Sequence, residues 1–346
     1  MKRPLCPPGW AIRTVLAVFA LALVSVASYW LLGGGFGGSK PERSRIGVLR
    51  MGIWILDKGQ GGEPVPFGSG RCRVSFGEAG DAPVIGDWSG SGNQKAGVFR
   101  NGRWLLDFNG NGKWDGTGGD VWYRGGGEDR LVLLGQAGDV PVVGDWNGDR
   151  KSKVGVFRAG LWVFDYNGNG QWDGPEAGDR FMNLGQPGDI PVVGDWNGDG
   201  RSKAGTFRAG LWVLDYNGDG QWGGPRSGDR FMYLGKLGDI PVVGDWNSDG
   251  KTEIAVFRQG LWVIDMNGTG KWEGTEGGDF RFQLGEAGDV PVSGDWNGSG
   301  AVKAGVFRNG VWILDREGTG SRDALQENKG AVILGQAGDI PLTGRW

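Results

Sequence analysis

The sequence beyond residue 45 repeats itself six times, and this repetition limits the folds open to the chain. The pattern G-x-x-G-D-x-P begins at Gly77, Gly135, Gly185, Gly235, Gly285 and Gly335. Its spacing is 58 residues once and then 50 residues four times. A second pattern, typified by "VFRAGLWVFD", places a tryptophan at Trp54, Trp104, Trp162, Trp212, Trp262 and Trp312. Six copies of one supersecondary unit therefore follow one another.

Each unit has the pattern of four short strands. In one copy these are "IPVVGDW", "KAGTFR", "LWVLDY" and "DRFMYLG", beginning at Ile190, Lys203, Leu211 and Asp229. Turn residues separate them, and Ala209-Gly210 suits a tight hairpin. Four strands in about 50 residues is the size of a propeller blade. The sequence therefore predicts an all-β, six-bladed β-propeller over residues 45–346.

The two ends of the array predict how the ring closes. The array opens at "RIGVLRMGIWILD", which matches the second and third strands of a unit. It stops at "IPLTGRW", which matches a first strand. We therefore expect the C-terminal strand to complete the first blade and to leave no unpaired radial edge.

Composition excludes several functional classes. The 346 residues include 73 glycines and 19 tryptophans but no histidine. Ser-His-Asp catalysis, Cys-His catalysis and histidine metal sites are therefore excluded. A formal net charge of −3 provides no broad basic surface for nucleic acid.

The N-terminal region predicts export. Residues 14–32 are nineteen uncharged, mostly apolar residues preceded by Lys2, Arg3 and Arg13, which is long enough for a transmembrane helix. A cleaved signal peptide ending at Ala27 is the alternative. We expect residues 1–13 on the cytoplasmic side, 33–44 as a glycine-rich linker, and a membrane-anchored, extracytoplasmic propeller that is secreted if the segment is cleaved.

The repeat resembles the FG-GAP and VCBS-like bacterial propeller repeats, whose best-known relatives are the integrin alpha-chain propellers. The resemblance covers residues 45–346 and rests on "GDWNGDG" followed by a strand that ends in "VFR". Integrin propellers have seven blades, whereas this sequence has six units. The resemblance implies an extracellular binding or adhesion platform, sometimes a lectin, with calcium in the blade loops.

One family of candidate metal loops follows the first strand of each unit. In "GDWNGDGRSK", Asp195, Asn197 and Asp199 alternate as in a calcium loop, but Lys203 stands at the ninth position. Lys95, Lys153 and Lys303 stand there in other copies, so we expect these ammonium groups to replace a cation. The exception has a carboxylate, Glu253, at the ninth position and predicts a calcium site formed by Asp245, Asn247, Asp249 and Glu253. An Asx turn without metal is the alternative for all of these loops.

A second family of loops follows the third strand and has the spacing of the first nine positions of an EF-hand loop. The two best copies predict structural Ca²⁺ sites, one formed by Asp107, Asn109, Asn111 and Asp115 and the other by Asp165, Asn167, Asn169 and Asp173. A Gly-Asn hairpin is the alternative. "DMNGTGKWE", from Asp265 to Glu273, is a weaker version of the same loop.

Two groups of aromatic residues are candidates for ligand contact. Tryptophans in "GDW" and "GLW" recur in strands and predict packing between blades, whereas Trp114, Trp172, Trp222 and Trp272 lie in loops where a ring could stack on a sugar. The second unit also carries an eight-residue insertion containing Trp122, Tyr123 and Arg124. These residue types are enriched in binding hot spots, although an insertion that buries its own aromatic residues is the alternative.

The sequence favours a non-enzymatic binding or adhesion module whose partner is a glycan or an extracytoplasmic protein. A polysaccharide-acting enzyme with paired carboxylates is one alternative. A purely structural assembly role is another. Most acidic residues recur blade after blade at turn positions, which is typical of a structural function.

Overall fold

The computed structural model describes residues 43–57, 71–116, 129–320 and 331–346. Within these residues, 24 strands form six four-stranded antiparallel sheets. The predicted all-β, six-bladed propeller is confirmed. Five of the six sheets consist of four strands that are consecutive in sequence, as expected for repeated units that each form one blade.

The strand bounds are as follows. Blade 1 contains β1 (Arg45–Arg50), β2 (Ile53–Asp57), β3 (Arg71–Ser75) and the C-terminal β24 (Ile340–Gly344). Blade 2 contains β4 (Ala82–Gly86), β5 (Lys95–Arg100), β6 (Arg103–Leu106) and β7 (Arg130–Leu133). Blade 3 contains β8 (Val140–Gly144), β9 (Lys153–Arg158), β10 (Leu161–Phe164) and β11 (Arg180–Asn183). Blade 4 contains β12 (Ile190–Gly194), β13 (Lys203–Arg208), β14 (Leu211–Leu214) and β15 (Arg230–Tyr233). Blade 5 contains β16 (Ile240–Gly244), β17 (Glu253–Arg258), β18 (Leu261–Ile264) and β19 (Phe280–Gln283). Blade 6 contains β20 (Val290–Gly294), β21 (Lys303–Arg308), β22 (Val311–Leu314) and β23 (Ala331–Ile333).

The second and third strands of a blade are joined by a two-residue hairpin. Ala159 and Gly160 both have positive φ, 49° and 97°, as the twist of a tight hairpin requires. A Cβ atom at Gly160 would lie 2.5 Å from the carbonyl oxygen of Gly185. Glycine is therefore required there because the backbone of the outer connection passes against it.

The core lies between the blades, and a repeated tryptophan is central to it. The third-strand tryptophans are at most 1% exposed. The indole of Trp162 donates to the carbonyl of Leu184 at 3.0 Å, and its ring packs on Phe157 at 5.0 Å between centroids. This face then meets Val193 and Ala204 of the next blade. The predicted packing role of these tryptophans is confirmed.

At one end of every blade an arginine is paired with a buried aspartate. Arg158, the last residue of β9, donates two hydrogen bonds to Asp139, which precedes β8. The Asp139 side chain is fully buried, whereas the Arg158 side chain is 40% exposed. Such bidentate pairs fix the first strand of a blade against the second. The equivalent pairs elsewhere are Arg50–Asp339, Arg100–Asp81, Arg258–Asp239 and Arg308–Asp289. In blade 4, Arg208 and Asp189 form an ion pair at 3.2 Å without the two hydrogen bonds.

At the opposite end, neighbouring blades are joined by a pair of reciprocal hydrogen bonds. Ser202 donates its backbone N–H to the carbonyl of Asp145 at 2.9 Å, and its hydroxyl accepts the N–H of Asp145 at 3.0 Å. The same pair joins Asp87 to Ser152, and Asp195 to Thr252. Backbone groups at the blade boundary are thereby satisfied by the adjacent blade.

The ring closes by pairing of the first and last strands of the repeat array, as predicted from the sequence. Strand β24 pairs antiparallel with β1 over five residue pairs, from Arg45↔Gly344 to Leu49↔Ile340. Arg50 donates to both carboxylate oxygens of Asp339 at 2.7 Å. Leu342 packs in the core shared by blades 1 and 2, and the indole of Trp346 donates to the Asp57 carbonyl at 3.2 Å.

Within the described residues, none of the helices has the length and apolar character needed to cross a bilayer. The predicted membrane segment, residues 14–32, lies outside the described part of the chain. The same holds for the predicted cytoplasmic segment and for nearly all of the linker, so these three assignments stay predictions.

The ring-closure contact predicts a specific effect of Asp339→Asn. The substitution removes a buried charge-assisted pair and should lower the free energy of unfolding by about 1.5–3 kcal/mol. Denaturant unfolding measures this loss. Asp289→Asn, which breaks the equivalent pair inside blade 6, is the matched control and should cost a similar amount. Only Asp339→Asn should also accelerate amide hydrogen exchange in β1 and β24; equal exchange in both variants would contradict closure through this pair.

Candidate functional site

Both families of candidate metal loops lie at the same end of the propeller, which we call the loop face. In blade 4 the register places Lys203 beside Gly194, and Leu214 beside Arg230. The loop after the first strand and the loop after the third strand therefore emerge together. The arginine–aspartate pairs occupy the opposite end.

In blade 4 the ammonium group of Lys203 occupies the centre of its loop. It donates to Asp195 at 2.9 Å, to Asp199 at 2.6 Å and to the carbonyl of Arg201 at 3.0 Å. These are the oxygens at the first, fifth and seventh positions, which would face a calcium ion in a calcium loop. Lys153 makes the same three kinds of contact, and Lys303 contacts Asp295, Ser299 and the Ala301 carbonyl. The predicted internal pairing is therefore present at Lys153, Lys203 and Lys303, whereas Lys95 contacts the hydroxyls of Ser89 and Ser91 and lies 4.0 Å from Asp87.

The equivalent loop of blade 5 has a glutamate in place of the lysine. One oxygen from each of Asp245, Asp249 and Glu253 lies within 4.8 Å of the others. Asp245 accepts the backbone N–H groups of Asp249 at 3.1 Å and Gly250 at 2.8 Å. Glu253 accepts the N–H of Trp246 at 2.9 Å. Within the described residues, this is the place where three acidic ligand atoms converge.

Asn247, the fourth predicted ligand of this site, has two local partners. Its amide nitrogen donates to the carbonyl of Met266 at 2.9 Å, and its side-chain oxygen accepts the N–H of Asp249 at 2.8 Å. The structure therefore brings Asp245, Asp249 and Glu253 together, while Asn247 links this loop to the second loop of the same blade.

Burial and neighbouring carboxylates make Glu253 a weak acid in the absence of a cation. Burial raises the pKa of Glu253 to about 9, and the charges of Asp245, Asp249 and Asp265 add to the shift, whereas the Trp246 N–H opposes it. Glu253 is only 4% exposed. Three carboxylates around one point, none of them neutralised by the lysine of the other loops, form a site suited to a hard divalent cation.

The second family of loops has a different internal arrangement. Asp165 accepts the N–H groups of Gly168 and Gly170, both at 3.0 Å, and Asn169 donates its amide to Asp173 at 2.5 Å. Asn167 donates to the Ala177 carbonyl at 3.1 Å. The four predicted ligands of this loop therefore lie close together but hydrogen-bond with their own loop.

The equivalent loop of blade 2 follows the same scheme. Asp107 accepts the N–H groups of Gly110 and Gly112, while the amides of Asn109 and Asn111 both donate to one oxygen of Asp115 at 2.7 and 2.6 Å. Hydrogen bonding by the two amides holds the pKa of the exposed Asp115 carboxyl below its usual value. The two predicted calcium sites of this family stay predictions.

The loops of this second family also contact the preceding blade. In blade 5, the carbonyl of Gly270 accepts the N–H of Tyr233 at 2.7 Å. A Cβ at Gly270 would lie 2.4 Å from Cγ of Met232, so glycine allows this close approach. The second loops thus cover the boundary between two blades.

Cavities lie beneath these loops at three consecutive blade boundaries. The cavity between blades 2 and 3 has a volume of about 150 Å³, that between blades 3 and 4 about 30 Å³, and that between blades 4 and 5 about 220 Å³. Their linings share an arginine at the start of the fourth strand, an aromatic residue of the same blade and an aspartate of the next blade. These residues are Arg130, Phe108 and Asp165; Arg180, Tyr166 and Asp215; and Arg230, Tyr216 and Asp265.

Exposed aromatic pairs flank this part of the molecule. Trp172 and Phe181 are 40% and 50% exposed, and their rings meet edge-to-face with centroids 6.4 Å apart. Trp222 and Phe231 form the equivalent pair in blade 4 at 4.8 Å, with Phe231 43% exposed. Trp272 is also exposed, whereas Trp114 packs against Phe76. The loop tryptophans therefore divide between packing and exposure.

Sequence reasoning singled out Trp172 and Trp222 but missed their partners and the cavity arginines. The signal was present in "DRFM", which occurs in two consecutive units and places Arg180 and Phe181, or Arg230 and Phe231, at adjacent strand positions. The predicted ligand cluster of Trp122, Tyr123 and Arg124 lies outside the described residues.

Comparison with known proteins yields likeness to solved structures alone. No protein-family model matches the chain, and no curated protein matches it. The chain is similar to a lectin of Agrocybe aegerita described as recognising non-reducing terminal N-acetylglucosamine, with 12% identity, a TM-score of 0.46, and coverage of 85% of this chain and 95% of the lectin. It is also similar to BBS1N, solved in complex with ARL6DN, with 11% identity, a TM-score of 0.39, and coverage of 68% and 65% respectively.

The pKa of Glu253 predicts how stability depends on pH when divalent cations are absent. Because the folded-state pKa of about 9 exceeds the ordinary value of 4.5, the folded protein holds this proton more tightly than the unfolded chain. The contribution of Glu253 to stability is therefore full below pH 4.5 and declines as pH rises towards 9. Denaturant unfolding in EDTA at a series of pH values measures this decline. Glu253→Gln should flatten it, and an identical pH profile in the variant would contradict the assignment.

Proposed function

We propose that the propeller is a non-enzymatic, extracytoplasmic binding module whose loop face recognises a glycan. The observation that carries this proposal is the exposed Trp172–Phe181 contact beside cavities lined by charged groups, together with Phe231, which is exposed at the equivalent position of the next blade and packs on the half-buried Trp222. A soluble β-sheet protein normally buries such rings. Their repeated exposure at equivalent positions of adjacent blades supports a ligand-binding role.

The chemistry of this surface suits a sugar. One face of a pyranose ring carries C–H groups that pack against an aromatic ring, while its hydroxyls need hydrogen-bond donors and acceptors at the edge. The exposed rings supply the first requirement, and the arginine side chains of the cavities supply hydrogen-bond donors for the second. A protein partner using the same aromatic residues is the second candidate.

The acidic residues of the loops support binding rather than catalysis. Glycoside hydrolysis needs two carboxyl groups free to face a scissile bond. In the second loops, the carboxylates of Asp107 and Asp165 instead accept two backbone N–H groups each. Carboxylates with such partners hold the loop conformation.

We also propose that Asp245, Asp249 and Glu253 bind Ca²⁺ and that the ion stabilises the blade 5 loop. The support comes from blade 4, where an ammonium group sits among the equivalent oxygens of Asp195 and Asp199. The blade 5 loop keeps those oxygens and replaces the ammonium with a carboxyl group, so that a divalent cation can take the place of the ammonium. The carbonyl of Lys251 would supply a further ligand, as position seven does in calcium loops.

Membrane attachment through residues 14–32 completes the proposal. An apolar stretch of nineteen residues and the glycine-rich segment that follows it would hold the propeller away from the bilayer. Under this arrangement the module is surface-exposed and adhesive; cleavage of the segment would release it as a secreted protein. Two measurements test this part: protease accessibility of the propeller on intact cells, and the distribution of the protein between the membrane and soluble fractions.

Calcium should stabilise the domain through the blade 5 loop. At 1 mM free Ca²⁺, a site with a dissociation constant of roughly 0.1–1 mM adds about 0.4–1.4 kcal/mol to the free energy of unfolding. Differential scanning calorimetry with and without EDTA measures this gain. Glu253→Lys places in blade 5 the lysine found in the other loops. It should raise the free energy of unfolding in EDTA and remove the part of the calcium-dependent stabilisation that comes from the blade 5 loop. A calcium response unchanged by Glu253→Lys would place the ion elsewhere.

Removal of an aromatic pair should weaken glycan binding. Trp172→Ala combined with Phe181→Ala deletes one pair of exposed rings, and a loss of about 1–3 kcal/mol corresponds to roughly five- to 150-fold in affinity. A glycan array followed by titration calorimetry on the best ligand gives the measurement. Ile333→Ala is the control, since Ile333 is a 68% exposed apolar residue on the outer strand of blade 6. Equal losses in both variants would argue against the aromatic surface.

A further inference from the structure

Two groups of arginines occupy equivalent positions in successive blades. Six of them, one per blade, bond to buried aspartates at the end opposite the loop face, as described above. Arg130, Arg180 and Arg230 stand instead at the start of the fourth strands of blades 2, 3 and 4, on the loop face. Within the described residues, none of these three guanidinium groups forms a hydrogen bond or an ion pair.

An aromatic ring holds each of the three guanidinium groups in place. The central carbon of Arg130 lies 3.8 Å from the centroid of the Phe108 ring. Arg180 lies 3.8 Å from the ring of Tyr166, and Arg230 lies 3.6 Å from that of Tyr216. Stacking fixes the planar group while leaving its N–H donors at the edge, which reduces the entropy lost when an anion binds.

Blade 5 shows that the arginine and its ring occur as a unit. At the position equivalent to Arg230 it carries Phe280, and at the position equivalent to Tyr216 it carries Met266. Both members are thus replaced together. A stacked arginine is therefore a feature of blades 2, 3 and 4 rather than a requirement of the fold.

Each stacked arginine lines one of the three cavities between blades. The nearest carboxylates there belong to the next blade and are already engaged. Asp165 and Asp215 each accept two backbone N–H groups of their own loop, and burial raises the pKa of each to about 6. Lys153 and Lys203 balance the acids of the first loops. The guanidinium groups thus remain available to an external anion.

We propose that the loop face binds an acidic polysaccharide, whose carboxylate or sulfate groups pair with Arg130, Arg180 and Arg230. This proposal rests on the proposed glycan-binding function and names its ligand class. Guanidinium groups form strong, two-point hydrogen bonds with carboxylate and sulfate. Three equivalent arginines on consecutive blades suit a polymer with repeated charges. The aromatic pairs beside them favour sugar rings over an acidic peptide.

The third cavity should respond to cations. It contains Arg230 and Glu253, whereas the first two cavities contain Lys153 or Lys203 at the place of Glu253. When no cation is bound, the third cavity therefore lacks the positive charge that the lysine adds to the other two, and that charge favours an anionic ligand. Arg130 and Arg180 should therefore contribute more to binding than Arg230 in EDTA.

The test compares two triple variants of the full chain in EDTA. Arg130→Gln, Arg180→Gln and Arg230→Gln together should reduce affinity for polygalacturonate or dextran sulfate at least tenfold, measured by biolayer interferometry. The control variant replaces three exposed arginines that line none of these cavities, Arg73, Arg103 and Arg281, by glutamine. It makes the same change in net charge and should alter affinity less than twofold. Circular dichroism and denaturant unfolding check that both variants fold.

Several outcomes would overturn the proposal. Equal losses of affinity in the two triple variants would show that only net charge matters. Tighter binding of polyglutamate than of either acidic polysaccharide would show that the ligand is an acidic peptide. Binding of neutral glycans that is unchanged by the cavity substitutions would refute the acidic ligand while leaving the proposed glycan-binding function intact. Failure to bind any acidic or neutral glycan would refute both.

Discussion

The structure depends on burial of each blade's apolar face against the next blade. A four-stranded sheet of this size cannot cover its own tryptophan face, and Trp162, for example, is buried only because blade 4 supplies Val193 and Ala204. Every blade needs a neighbour to cover its apolar face, and all of these faces are covered only when the last blade packs against the first. Closure by β24 is therefore a condition for burial of the whole series. The bonds at both ends of each blade hold the sheets in the register that this packing needs.

Because the packed faces of the blades hold the fold together, the side chains of the loop face can differ between blades. Packing, arginine–aspartate pairs and reciprocal boundary bonds recur with little change, whereas the loops carry lysine in one blade and glutamate in another. A loop with lysine holds an ammonium group among its carboxylates, whereas the loop with glutamate brings three carboxyl groups together. The same backbone thus accommodates opposite charges at its ninth position. Variation in the aromatic and arginine positions of the fourth strand follows the same logic, since these residues lie outside the shared core.

Much of the fold could be predicted because the repeat sets the strand number, the blade number and the closing strand by pattern alone. The lysine contacts were also predictable, since Lys203 stands two residues after a carbonyl at position seven and eight after Asp195. The cavity arginines were not, because their role depends on a ring from a neighbouring strand and a loop from the next blade. Within-repeat spacing contains no information on contacts between blades. The sequence pattern also could not predict the orientation of the Asn109 and Asn111 side-chain amides, since an amide can present either its oxygen or its nitrogen to the centre of a loop.

The position of β1 between two neighbours has a mechanical consequence. The chain enters the propeller at Ser44, which is tied to Asp295 of blade 6 by two hydrogen bonds, and then runs as β1 between β24 and β2. Tension applied along the chain preceding Arg45 would pull this strand along its own axis. Both of its ladders would then be loaded in shear, with many hydrogen bonds resisting at once, instead of opening one bond at a time as in peeling. The entry of the chain into the propeller is therefore its mechanically strongest point under tension along β1.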